Sequence, residues 1–246
     1  MAERHSRRLD AMVAVRNMGE SRFVIYVNWD PEADSAAVHA ERVRESLTEF
    51  GLISPALRSW GILDRDTGTS VPIEKAERQF SEIVSRGLVA AHGPESLQSN
   101  IIFSVVGAGR RSFRGVCAAM FEAEFNDRPD PAIVAYPVLK AITVALAPIW
   151  NATYAQVYTN AIQSYWDDPR RIFELSWMTY LSDAFAEMIT IPESVFVEQV
   201  PGEGVMLSAS DGDFDVANAK HIAAARDLRD ALNPLAKLYR RPWEKS

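Results

Sequence analysis

Apolar residues in this chain fall into two alternating patterns: short unbroken runs, and spacings of three and four. Phe23-Val24-Ile25-Tyr26-Val27 is a run of β-branched and aromatic residues that predicts a central strand, ended by Asn28-Trp29-Asp30-Pro31. The spacing then predicts a helix over 36–50. Asp34 or Ser35 is its cap, Val38, Val43, Leu47 and Phe50 face inward, and Gly51 follows as a glycine C-cap. Leu57–Leu63 predicts a second strand around Trp60, interrupted at Gly61. Asp64-Arg65-Asp66-Thr67-Gly68-Thr69 is turn chemistry. Pro72 opens a helix over about 72–87, with Phe80, Ile83, Val84 and Leu88 as its inner face, and Ala91–Ser99 is loop-like.

Asn100–Val106 is another strongly apolar strand, broken by Gly107-Ala108-Gly109. Residues 113–125 fit a strand or a helix equally well. After Asp127-Arg128-Pro129-Asp130-Pro131, a helix is predicted from near Tyr136 to about 147, with Val134, Val138, Ile142 and Leu146 on one face. Pro148 ends it and Trp150 lies beyond. Thr153–Tyr158 reads as a strand. Val205, Met206 and Leu207 begin a buried strand that leads into the turn Asp211-Gly212-Asp213. Asp215 or Asn218 then caps a helix with Ile222, Ala225, Leu228 and Leu232 on one face, stopped by Asn233-Pro234. These pieces predict an α+β fold, a mainly antiparallel sheet packed against several helices. A single domain is expected over 21–234, between a flexible arm at 1–20 and a tail at 235–246. A loose strand and helix repeat offers two halves, 21–95 and 98–234, as the alternative division.

With 246 residues, 48% of them hydrophobic, the chain can bury a full core. Its net charge of −7 argues against a general nucleic-acid binder, because phosphate contacts need a basic surface. The acidity suits solubility, and it suits a basic partner. Cys117 is the single cysteine, so no intrachain disulfide or multi-thiolate zinc site can form, and a buried inert thiol is expected. The N-terminus lacks an apolar run of signal-peptide length, and no membrane-spanning helix is expected. The expected location is therefore cytoplasmic.

Catalytic signals are few. His5, His39, His92 and His221 form no metal-ligand pair, and His221 is read as a structural hydrogen-bonder. The Gly107-Ala108-Gly109 turn is half of a dinucleotide fingerprint, but its sixth position is Ser112, so a hairpin turn is preferred. Glu122 and Glu124 share a face if 113–125 is a strand, where they could act as an acid–base pair or simply face water. Asp211, Asp213 and Asp215 alternate as in a calcium loop, yet Val216 and Ile222 stand where an EF-hand needs Gly and Glu. An acidic capping turn is the better reading. No cofactor and no metal are expected. Trp177 is the strongest core candidate among six tryptophans, whereas Trp166, beside Asp167-Asp168, is balanced between core and exposed anchor.

Two motifs carry a family resemblance. Ser176-Trp177-Met178-Thr179-Tyr180-Leu181-Ser182 resembles the tryptophan-centred segment of immunity protein family 52. Phe214-Asp215, Asn218 and His221 resemble that family's C-terminal end. The resemblance is clearest over about 170–235. It implies a hairpin, Val195–Val200 with Gly204–Leu207, and favours a strand for 113–125. It assigns Trp177, Tyr180, Leu181, Phe214, Asp215, Asn218 and His221 to the family pattern. The implied role is to bind and neutralise a cognate toxin of bacterial polymorphic-toxin or type VI secretion systems, one with a restriction-endonuclease-like nuclease domain. No enzyme activity, direct nucleic-acid contact or membrane contact is then expected. Interface candidates are the acidic groups Asp30, Glu32 and Asp34; Asp64 and Asp66; Trp166 with Asp167 and Asp168; and Asp211 and Asp213. The competing readings are a small-molecule enzyme of unrecognised type, using the glycine turn or Glu122 and Glu124, and an adaptor without inhibition.

Overall fold

The computed structural model describes residues 22–29, 35–63, 70–73, 88–92, 99–106, 115–123, 128–166 and 173–239. Its strands are β1 (Arg22–Trp29), β2 (Gly61–Leu63), β3 (Ser70–Pro72), β4 (Leu88–His92), β5 (Ser99–Val106), β6 (Gly115–Ala123), β7 (Tyr154–Thr159), β8 (Met178–Ser182), β9 (Phe196–Val200) and β10 (Gly204–Ser208). They form one 10-stranded antiparallel sheet in the order β3-β2-β4-β5-β6-β1-β7-β8-β10-β9. The α+β expectation is met. β1 lies inside the sheet, with β6 on one side and β7 on the other.

The three longer helices are α1 (Ala36–Ile53), α2 (Tyr136–Trp150) and α3 (Ala219–Ala231). α1 starts at Ser35, whose Oγ accepts from Val38 N at 3.3 Å, so the serine alternative for the cap is the one used. Gly51 is not the C-cap. The helix runs through it to Ile53 and is capped by Ser54. The space there is tight, since a Cβ would meet Arg58 Cγ at 3.2 Å and Arg58 Cα at 3.3 Å, so Arg58 would have to give by a few tenths of an ångström. Val43, Leu47 and Phe50 face the core, but Val38 is exposed.

α2 also outruns its expected end. Pro148 sits within its last turn, and Trp150 closes the helix in the core instead of lying beyond it. Asn151, at φ 47°, takes the left-handed C-cap position that asparagine tolerates. By length and apolarity alone (mean hydropathy 1.9) the segment Pro131–Trp150 would suit a membrane span, contrary to the sequence reading. Here Ala135 breaks it into two helical pieces, and Leu139, Ile142, Leu146 and Trp150 are fully buried. Each such side chain contributes roughly 1.5–3 kcal/mol on leaving water.

One sheet face, lined by Phe23, Ile25, Val27 and Trp29, packs beneath α1 and α2. Trp29 meets Trp150 at 4.6 Å between ring centroids, and Phe50 meets Phe103 edge-on at 5.4 Å. A second cluster, including Leu181, Val205, Leu207, Leu228, Leu232 and Leu235, joins α3 to β8 and β10. Packed structure therefore continues past 234, through the helical turn Asn233–Ala236.

Leu88 begins a strand, not the end of a helix face, and β4 occupies the start of the expected loop. Its sequence, LVAAH, has no period of its own, and pairing with β2 and β5 decides its state. The expected strand at 57–63 is shorter, a 3-10 turn Pro55–Leu57 followed by β2. Of the expected 72–87 helix, 74–87 lie outside the described residues. Cys117 is fully buried and burial pushes its thiol pKa up, as expected of an inert side chain.

Candidate functional site

Five of the seven family-pattern residues, Trp177, Phe214, Asp215, Asn218 and His221, converge, while Tyr180 and Leu181 serve β8 elsewhere. Trp177 immediately precedes β8 and is fully buried. Its indole N–H donates to Ser210 Oγ at 3.0 Å, and Ser210 Oγ donates to the Gly212 carbonyl at 2.6 Å. Its ring lies 5.8 Å from Tyr136, 6.2 Å from Phe23 and 6.4 Å from Phe214. Trp177 thus ties the start of β8 to β1, to α2 and to the turn after β10.

That turn, residues 211–218, is a capping device for two helices. Asp213 Oδ1 accepts from Tyr136 N at 3.0 Å, at the N-terminus of α2. The α2 N-cap residue is Ala135, which has no side chain to do this. Asp213 Oδ2 is 3.1 Å from Arg128 Nη2. Asp215 folds the turn on itself, its Oδ1 accepting from Ala217 N at 2.8 Å. Asn218 caps α3, its Oδ1 accepting from Lys220 N at 3.0 Å. His221 Nδ1 accepts from Asp215 N at 3.0 Å while its ring stacks obliquely on Phe214, the structural role expected of it. The cap on α2 was invisible in sequence, because donor and acceptor stand 77 residues apart.

Losing a cap of this kind costs about 1 kcal/mol and at most about 2. Asp213→Ala is expected to lower stability by that amount in urea unfolding. Asp213→Asn should lose less, since an amide oxygen can still accept from Tyr136 N while the Arg128 pair weakens. Equal stability of all three proteins would remove the capping role.

Tyr180 and Leu181, on β8, are both buried. The Tyr180 hydroxyl donates to the Glu203 carbonyl at 2.7 Å, anchoring the β9–β10 turn to β8. Burial, followed by the charges of Glu203 and Asp183, pushes the Tyr180 pKa up to about 12. A tyrosine pKa raised by folding contributes stability that is fully present below about pH 10 and lost as pH rises toward the folded value. Alkaline destabilisation between about pH 10 and 12 is therefore expected. Tyr180→Phe should flatten that fall in thermal melts, and an unchanged slope would assign the titration elsewhere.

The interface candidates are not all brought together. Asp30, Glu32, Asp34, Asp64, Asp66, Asp167 and Asp168 lie outside the described residues. Trp166 is half-buried, its indole N–H donating to the Leu175 carbonyl at 3.1 Å and its ring meeting Tyr158 edge-on at 5.1 Å. Asp211 and Asp213 are exposed in the turn. For the enzyme reading, Glu122 on β6 is ion-paired with Arg22 on β1, and Nε donates to Oε1 at 2.9 Å. Glu124 and the Gly107-Ala108-Gly109 turn lie outside the described residues.

Charge is unevenly spread along the chain. Between the basic pairs Arg170-Arg171 and Arg240-Arg241, residues 173–239 hold 11 Asp and Glu against 4 Lys and Arg. Ten of those 11 carboxylates are exposed. Sequence reading found the Asp211–Asp215 part of this surface but not Asp183, Glu187, Glu193, Glu198 or Glu203. These are single charges spaced along a short helix, a strand and turns, with no local cluster to mark them.

Comparison with known proteins places these features. No curated protein matches the chain. A solved structure, Pseudomonas aeruginosa T6SS protein PA0821, is similar at 13% identity with a TM-score of 0.48, over 86% of this chain and 75% of that one. The model of the immunity protein 52 family matches residues 23–240, which contain the Trp177 cluster, the acidic turn and, apart from Arg22, every strand of the sheet. The chain belongs to the immunity protein 52 family.

Proposed function

We propose that this immunity protein neutralises a cognate secreted toxin with a nuclease domain by forming a stoichiometric complex with it. The observation that carries the reading is the acidic stretch 173–239, with ten exposed carboxylates carried on sheet, hairpin and helix. A nuclease groove is positive because its substrate is negative. An acidic inhibitor surface complements it, speeding encounter and fixing register. The protein acts by binding, in the cytoplasm, without catalysis and without contacting nucleic acid or membrane itself. The toxin is of the polymorphic type delivered by type VI secretion.

Co-expression with the toxin encoded beside it, then purification and a DNA-cleavage assay, tests this. A one-to-one complex is expected, with cleavage lost once the inhibitor equals the toxin. Association should slow by roughly tenfold between 50 and 500 mM salt, as screening removes the attraction. Undiminished cleavage with the inhibitor in excess would refute the proposal. Asp211→Asn is the cleaner charge probe in the turn, since Asp213 holds a helix and Asp215 holds the turn itself. A slowing of about twofold at low salt is expected if the turn faces the toxin.

A further inference from the structure

We propose that β9, the outer strand of the acidic half of the sheet, is the docking edge for the toxin, and that it receives an extended toxin segment carrying Lys or Arg. This rests on the immunity reading above and names the surface it uses.

β9 pairs with β10 and is the last strand of the sheet among the described residues. Alternate residues of an edge strand turn their N–H and C=O groups outward, ready to pair with another strand. Proteins normally blunt such an edge with Lys, Pro, a bulge or a covering element. β9 has no Lys, Pro or bulge within it, and its one charge, Glu198, is paired with Lys140. Its sequence is Phe-Val-Glu-Gln-Val, its first four residues are exposed, and its prolines, Pro192 and Pro201, lie outside the strand. Phe196 is 49% exposed and Val197 is 48% exposed. They point to opposite sheet faces, because successive side chains in a strand alternate. An added strand would therefore find an apolar contact on each face.

The surrounding charge selects the occupant. Glu193 precedes the strand, Glu198 stands within it and Glu203 follows in the turn, all exposed. Lys140 on α2 neutralises Glu198, with Nζ 2.7 Å from Oε2, and that hydrogen bond raises the lysine pKa. Glu193 and Glu203 then flank the docking edge at its two ends. A basic extended segment matches this edge, whereas a second copy of β9 would set acidic ends against acidic ends. The edge is also held ready. Tyr180 fixes the turn through Glu203, and β10 is fixed to β8 along its whole length. Little ordering is left to oppose binding.

The test uses the full chain and the catalytically inactivated toxin domain encoded beside it. Phe196→Lys with Val197→Lys places gatekeeper charges on the edge without touching the core. It is expected to weaken binding by at least about 30-fold, the scale of an interface hot spot. Leu52→Lys, on the exposed end of α1, should leave affinity within about twofold, as distant surface changes do. Hydrogen exchange on the unaltered protein is the second measurement, and it holds even if the double variant misfolds. Alternate β9 amides should exchange at least about tenfold more slowly in the complex, as newly paired amides do. Tight binding by the double variant, or unchanged β9 exchange in a stable complex, overturns the edge assignment and leaves the immunity reading intact. Absence of any complex with the unaltered protein overturns both.

Discussion

Trp177→Ala is expected to destabilise the protein by about 4 kcal/mol, in the range of Trp-to-Ala changes in cores. Three terms add. The indole is fully buried, so its apolar transfer energy is lost. The cavity lies where β1, α2 and the 211–218 turn meet, and those elements are held by the sheet and by Asp213, so they can collapse into it only partly. The hydrogen bond to Ser210 Oγ disappears as well. Ser210 keeps its bond to the Gly212 carbonyl, so that last term is small. Trp177→Phe separates the terms. It keeps most of the ring volume, and should cost about 1–2 kcal/mol from the missing donor and the misfit. Urea unfolding followed by circular dichroism measures both. A loss below about 2 kcal/mol for the alanine variant would mean that the neighbouring rings repack, and that Trp177 does not tie these elements together.

The elements that local pattern revealed are those whose own residues decide their state. β1, β5, β7 and β10 are apolar runs, and α1 and α3 carry both a helical face and a local cap, Ser35 and Asn218. What stayed hidden depends on distant partners. That β1 is central is legible in its own run, but which strands flank it, β6 and β7, depends on residues far away in sequence. The strand state of LVAAH comes from its neighbours in the sheet. Gly51 has the look of a helix stop because glycine often is one, yet the helix runs through it and packs closely on Arg58. The site was legible to the same degree. His221, Asn218 and Trp177 advertise their roles in the sequence around them. Asp213 advertised only a turn, and its service to α2 is a tertiary fact.

The hairpin formed by β9 and β10 supplies the second large effect, because its two positive-φ glycines are required for different reasons. Gly202, at φ 75°, has open space around it, with nothing within 4 Å of an added Cβ. Gly202→Ala therefore costs only the left-handed backbone, about 1–2 kcal/mol. Gly204, at φ 152°, is in a region essentially reserved for glycine, and its Cβ would stand 2.0 Å from the Leu181 carbonyl oxygen and 2.9 Å from Ser182 Cα. Both of those atoms are backbone of β8, so no side-chain rotation relieves the clash. Gly204 also pairs with Ser182 on one side and Val200 on the other, at the junction of three strands. To make room, β10 must part from β8, which opens the cluster of Leu181, Val205 and Leu207 against α3. Gly204→Ala is expected to cost more than about 4 kcal/mol, beyond the ordinary range of point changes, or to leave the protein insoluble. The two alanine variants, compared in one denaturation series, isolate the steric term from the backbone term. A Gly204→Ala protein within about 1 kcal/mol of its parent would mean that the hairpin can separate from β8 at little cost, and the edge carried by β9 would then be mobile rather than preformed.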